Sequence, residues 1–239
     1  MNLILPRKKR RLLWLSILYR LKKLPFISKK AKLRLYLNIE WVADKFAQEI
    51  SHEIYPLGEH PGRVFSLQFI FRHIKKDQVV LDLGSGTGEI GSAIAESAKE
   101  VIGIEYDKKI IDIASSRHRK DNLFFVESEA LTYLEQSTKK FDVLILSHIL
   151  EHLDEPETLL LSFKKYFTYI FIEVPDFDRY YPSHYRKDLN MELIYTDGDH
   201  VIEFDREGLI ALLTECGITV IEAEYRFGVQ KLWCQVINA

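Results

Sequence analysis

The stretch VVLDLGSGTGEIG, residues 79–91, carries most of the structural information in this 239-residue chain. Four apolar residues surround one acid, Asp82, and run straight into Gly84, Gly86 and Gly88. The apolar run reads as a buried strand. Glycines at alternate positions let the chain turn tightly and let a ligand approach the backbone. The residues after them read as a helix, whose free N–H groups at its start favour an anionic group.

Working outward, apolar strands alternate with helical stretches. Strands are expected at Val79–Leu83, Val101–Glu105, Leu123–Glu127, Phe141–Ser147, Tyr169–Val174, Thr219–Tyr225 and Lys231–Ile237. Helices fall between the first five. Continuous apolar strands separated by helices argue for a parallel sheet covered on both faces. The last two strands are joined only by RFGVQ, too short for a parallel crossover, so they should be antiparallel. The expected fold is α/β: a Rossmann-like, doubly wound, seven-stranded, mostly parallel sheet with an antiparallel last strand.

Ahead of this lies a different segment. We divide the chain into residues 1–76, a basic arm with a helical extension, and residues 77–239. A helix is expected from Lys29 to about Ile50, with Leu33, Leu37, Trp41, Ala43 and Phe46 near a 3.6-residue period. The Pro-, Gly- and His-rich SHEIYPLGEHPGR (51–63) reads as a loop, and Val64–Ile74 as another helix.

Charge separates the same two parts. Residues 1–34 hold 12 Lys and Arg and no Asp or Glu. Residues 35–239 hold 21 basic and 35 acidic side chains, a net of −14. A basic block of this kind suits an anionic partner. The run LLWLSILY (12–19) is too short to span a bilayer and lacks a small-residue cleavage site. With Lys and Arg flanking Leu12, Trp14, Leu15, Leu18 and Leu21, it could instead lie on an anionic membrane face. The expected location is cytoplasmic, with peripheral attachment at the inner membrane face as an option. Two cysteines in separate elements, Cys216 and Cys234, exclude a disulfide framework.

Gly86, Gly88 and Gly91 match G-x-G-x-x-G, which raises a dinucleotide as ligand. Three features argue otherwise: Gly84 extends the string to G-x-G-x-G, Asp82 stands two residues before it, and the second strand ends in Glu105 with an acidic segment further on. On these residues the chain resembles class I S-adenosylmethionine-dependent methyltransferases, especially the "type 11" group, over about residues 77–237. The resemblance implies that Asp82 and the loop Gly84, Ser85, Gly86 and Gly88 hold the methionine part of S-adenosylmethionine. It implies that Glu105 accepts from the ribose hydroxyls, that Tyr106 packs on adenine, and that Ser128-Glu129-Ala130 borders the adenine amine, with either Ser128 or Glu129 reaching it. Ser147, at the end of the fourth strand, completes the expected cofactor set. Many relatives carry Pro-Gly-Gly before strand five; KYFT (165–168) stands here.

Chemistry is expected just past the fourth strand, in FDVLILSHILEHL (141–153). Ligands of doubly wound sheets bind outside the strands' carboxyl ends. Methyl transfer needs alignment above all, and a base if the acceptor is a hydroxyl. His148 is the first candidate for that base and His152 the second; each has a purely structural alternative, covering the adenosine or orienting the loop. Their spacing also invites a metal, but no third ligand stands nearby in sequence, so none is expected. The long segment 173–200, with Asp176, Arg179, Tyr180, Tyr181, His184, Tyr185, Arg186 and His200, should cover an acceptor.

The resulting expectation is methyl transfer to a hydroxyl or carboxylate of a glycan, lipid-linked intermediate or other metabolite. The alternative is a non-catalytic S-adenosylmethionine-binding interaction module. A nucleic-acid methyltransferase ranks third: the body is acidic, and Ser147-His148-Ile149-Leu150 stands where base-modifying relatives carry N/D-P-P-Y/F.

Overall fold

A computed structural model describes residues 13–55, 59–192 and 197–237. The cluster Arg7–Arg11, Leu12 and the loop positions 56–58 lie outside them, as do the side chains of Trp14, Leu15 and Leu21 on which the proposed membrane-facing helix partly rests.

Seven strands form one sheet: β1 (Val79–Leu83), β2 (Glu100–Glu105), β3 (Leu123–Glu127), β4 (Val143–Ser147), β5 (Tyr169–Pro175), β6 (Ile218–Arg226) and β7 (Val229–Val236). Their order is β3-β2-β1-β4-β5-β7-β6. Pairs among β1 to β5 are parallel, and β7 runs antiparallel to both β5 and β6. Between them lie α4 (Glu89–Ile94), α5 (Lys108–Arg117), α6 (Ala130–Gln136), α7 (Pro156–Phe163), α8 (Tyr181–Asp188) and α9 (Arg206–Glu215). The doubly wound, mostly parallel sheet is thus as expected. Strand order reverses between β1 and β4, so their carboxyl ends border a crevice.

The β6–β7 link is shorter than the five residues expected. Only Phe227 and Gly228 stand between the strands, both at positive φ (59° and 80°). Two such residues match the right-handed twist of a hairpin. Strand β5 starts at Tyr169 despite the missing Pro-Gly-Gly. Asp205 caps α9 by accepting from the Gly208 amide at 2.7 Å.

Before the sheet come α1 (Leu13–Lys22), α2 (Lys29–Ile54) and α3 (Pro61–Phe71). Helix α3 shares the core of the sheet: Phe69 and Ile70 are fully buried in one cluster with Val80, Phe171 and Trp233. Helix α2 runs one turn beyond its expected end, and its apolar face is not covered as the periodicity suggested. Leu37 is its one buried residue among those described, while Leu33 and Phe46 are exposed.

Candidate active site

Two adjoining hollows lie at the carboxyl edge of the sheet. The smaller, about 150 Å³, is lined by Arg63, Asp82, Gly84, Ser85, Gly86, Thr87, Glu89, Ile90 and Ser147. The larger, about 420 Å³, has His148, Glu173 and Pro175 as its floor, with Ser51, Arg63 and Ser66 from the α2–α3 side and Phe227 from the hairpin turn. Arg63 lines both, and Ser147 and His148 are consecutive.

The smaller hollow is built by β1 and its glycine loop. Gly84, Gly86 and Gly88 all have positive φ (64°, 53° and 87°), a region that costs other residues about 1–2 kcal/mol. They do different work. A Cβ on Gly84 would stand 2.5 Å from Ile149 Cδ1, and one on Gly88 would enter the Phe125 ring. A Cβ on Gly86 would meet nothing within 4 Å, so that backbone faces open space. Asp82 is buried, its Oδ2 lacks a hydrogen-bond partner, and so does the buried Ser85 Oγ. Burial pushes the Asp82 carboxyl up to about 7, against the pull of Arg63 and the Gly91 amide. Buried polar atoms without partners are rare and point to a missing one.

Glu105 ends β2 beside this loop. Its Oε1 accepts from the Tyr106 and Asp107 amides (2.9 and 3.3 Å), and its Oε2 from the Gly86 amide at 3.4 Å. The Ser128 amide donates to the Glu105 carbonyl at 3.2 Å, so the β3–α6 link closes on the same corner. Tyr106 is 85% exposed. Of the two residues left open as adenine neighbours, Glu129 is committed elsewhere. Its carboxylate caps α6, accepting from the Leu131 amide (3.1 Å) and the Thr132 amide (2.7 Å), contacts that hold it below the usual carboxylate range. The open space over Gly86, the unpaired Asp82 and Ser85 atoms and the acceptor at Glu105 fit S-adenosylmethionine.

The larger cleft centres on a charged trio. His148, at φ 56°, follows directly on β4, with its amide donating to the Glu173 carbonyl at 2.9 Å. Its Nδ1 lies 2.9 Å from Glu151 Oε1 and its Nε2 3.3 Å from Glu173 Oε1. Burial alone would lower its pKa, but the two carboxylates outweigh that and push it up to about 10. The imidazole therefore donates from both nitrogens, while 40% of the side chain stays exposed. Glu173 also accepts from Ser66 on α3 and from Ser147 (3.2 Å). Burial would raise it, yet His148, Ser66 and Arg63 together hold it low.

His152 takes a separate direction. It sits on the 3₁₀ turn Leu150–His152, with Nδ1 3.3 Å from the Asp199 carbonyl and its ring edge-on to His200 at 4.9 Å. It does not line the larger cleft; His200 does.

The 173–200 segment departs from its expected role as an aromatic cover. Tyr180 donates to Glu40, Arg179 bonds Asp44 at 3.0 Å and Arg186 bonds Glu40 and the Leu37 carbonyl, so the segment docks on α2. Tyr181 and Tyr185 stack on each other at the surface. Asp176 pairs with Arg206, and His184 with Asp178. Only Arg179 and His200 of the eight named residues line the cleft. Its other walls come from α2 and α3, which sequence reading had set apart. Glu173, a carboxylate inside the apolar YIFIEVP, was a further signal of this site carried by the sequence, beside His148.

A methyltransferase-domain family profile matches residues 65–223. The ribosomal protein L11 methyltransferase of Staphylococcus saprophyticus is 28% identical over 115 residues, 46% of this chain and 37% of that one. The ubiquinone biosynthesis O-methyltransferase of Coxiella burnetii is 26% identical over 96 residues, 39% of this chain and 41% of that one. The chain thus spans about two fifths of the length of these curated relatives. Among solved structures, the magnesium protoporphyrin IX methyltransferase of Synechocystis PCC 6803 with bound SAH has a TM-score of 0.55 at 11% identity, covering 94% of both chains. The N-methyltransferase NodS of Bradyrhizobium japonicum WM9, in complex with S-adenosyl-L-homocysteine, has 0.56 at 15% identity, covering 74% and 89%. At such identities the likeness is one of fold.

Proposed function

The chain belongs to the methyltransferase-domain family, and on that premise we propose that it transfers a methyl group from S-adenosylmethionine to an oxygen of a small polar acceptor. The observation that carries this reading is the junction of two hollows, one fitted to the donor and one open to an acceptor, across Arg63 and the Ser147–His148 step.

S-adenosylmethionine supplies an electrophilic sulfonium methyl. On our reading Asp82, Ser85 and the Gly84–Gly88 backbone hold its methionine part and Glu105 its ribose. Ser128, Ala130 and the ring of Tyr106 border its adenine, and Ser147 stands at the passage. The acceptor occupies the 420 Å³ cleft, a size suited to small molecules. Arg63, Arg179, His148 and His200 outnumber Glu173 and Asp197 there, which favours an anionic acceptor.

His148 faces that acceptor as a cation with both nitrogens engaged. A carboxylate acceptor suits it best, since an ionised oxygen needs no base. A hydroxyl acceptor would require His148 to leave one carboxylate first and take the proton. The test is calorimetric titration with S-adenosylmethionine beside NAD and NADP, followed by transfer of labelled methyl into pools of carboxylate and hydroxyl acceptors. Binding of S-adenosylmethionine with label in a carboxylate pool supports the reading. Binding without transfer to any pool favours the interaction module, and preference for a dinucleotide ends both.

We also propose that residues 1–54 rest on an anionic membrane. Leu35, Ile39, Val42, Phe46 and Ile50 are exposed and recur along one face of α2, behind an arm of 12 basic residues. Among the described residues no helix is long and apolar enough to cross a bilayer. Co-sedimentation with phosphatidylglycerol vesicles but not with phosphatidylcholine vesicles is the expected result.

A further inference from the structure

Beside the acceptor hollow, and meeting it through His200, lies a further cluster of side chains. Glu151, His152 and His200 each offer one ligand atom within 4.8 Å of the other two. Glu151 and His152 come from the turn after β4. His200 comes from the segment that returns against it, where the Val201 and Ile202 amides bond the Glu151 carbonyl at 2.9 and 3.2 Å. The cluster therefore sits on two backbone segments tied to each other.

A second observation points to a ligand. Glu151 is 1% exposed, its Oε1 is taken by His148, and its Oε2 has no hydrogen-bond partner. A buried carboxylate oxygen without a donor is costly unless a cation completes it.

We propose that Glu151, His152 and His200 bind a divalent first-row transition ion. Two imidazoles and one carboxylate suit zinc, manganese or iron and leave coordination positions open. Asp197 and Asp199 also lie within 4.8 Å of His200 through one ligand atom each, and can shield or complete the site. Glu203, on His200 Nδ1 at 3.2 Å, acts as the outer carboxylate that fixes the ring. Because His200 also lines the larger cleft, an ion held here would lie near its edge and would supply a positive charge for an oxygen of the acceptor; this last step rests on the methyl-transfer reading.

The test is titration of the chelator-stripped protein with Co²⁺, followed by its visible absorption, and with Zn²⁺ by calorimetry. One saturable ion per chain is expected, with affinity falling by about tenfold or more in His152→Ala and in His200→Ala. His200→Asp, which keeps a ligand oxygen, should recover part of it. S-adenosylmethionine titration of each variant monitors folding separately from the metal site. Absence of saturable binding, or binding unchanged in both alanine variants that still bind S-adenosylmethionine, overturns the proposal. Metal binding without S-adenosylmethionine binding would leave the ion in place and remove the methyl-transfer reading instead.

Discussion

Nε2 of His148 lies 3.3 Å from Oε1 of Glu173, joining the end of β4 to β5 across the floor of the larger cleft. With Glu151 on the other nitrogen, this pair orients the one imidazole that borders both the passage from the donor and the acceptor space. His148→Ala removes the cation that aligns the acceptor, so turnover should fall by about a hundredfold while S-adenosylmethionine affinity stays nearly unchanged. Steady-state kinetics and calorimetry on the same preparation check it, and an undiminished rate would remove His148 from the chemistry.

Gly86 and Gly88 share a positive φ but should fail differently. Gly86→Arg fills the space above the loop, so S-adenosylmethionine binding should disappear with a thermal shift of only about 2–8 °C, from about 1–2 kcal/mol of backbone strain. Gly88→Ala drives a methyl into Phe125, with Cε1 already at 2.8 Å, and should cost roughly 2–5 kcal/mol of stability. Equal thermal shifts in the two variants would contradict the assignment of Gly86 to the ligand.

Asp82 makes binding and folding depend on pH in a definite direction. Its carboxyl titrates at about 7 in the fold, against 3.8 ordinarily, because burial favours the neutral form. Its contribution to stability is therefore complete at low pH and is lost as pH rises from about 4 through about 7. A cationic ligand favours the ionised form, so S-adenosylmethionine affinity should weaken below about pH 7 and binding should release protons. Titrations in two buffers of different ionisation enthalpy read that release directly. Identical apparent heats in both buffers, or a pH dependence kept in Asp82→Asn, would contradict this.

Lys231 is fully buried in β7 and pairs with Glu224 at 3.1 Å. Replacing a buried ion with an apolar side chain of similar size is often harmless, whereas stripping away its partner is not. Lys231→Met should hold the melting temperature within a few degrees, and Glu224→Ala should lower it by more. Thermal unfolding of the two variants side by side decides it.

The central strands β1, β2, β4 and β5 were legible because burial on both faces makes them nearly continuous apolar runs. β1 and β3 begin and end where the pattern placed them. The hairpin turn was overestimated because Phe227 adopts a positive φ that its side chain gives no reason to expect. The glycine loop was readable as a turn, since Gly84, Gly86 and Gly88 follow one another in sequence and all adopt positive φ. Glu129 caps α6 with its carboxylate, a role that sequence spacing cannot separate from ligand contact. The acceptor side was mostly hidden. Arg63 and Ser66 reach the cleft through the docking of α3 on the sheet, and His152 meets His200 from 48 positions away, so neither relation has a local signature.

The division of labour between strands and leading helices has an evolutionary reading. On the proposed reading the donor is held by loops that the sheet itself projects, whereas α2 and the start of α3 wall the larger cleft and meet the glycine cradle only through Arg63. Selection can therefore retune what is methylated by rewriting the leading helices, while the engine behind them stays as it is. A chimaera carrying another enzyme's leading helices on this sheet would inherit that enzyme's taste in acceptors and keep this one's grip on the donor.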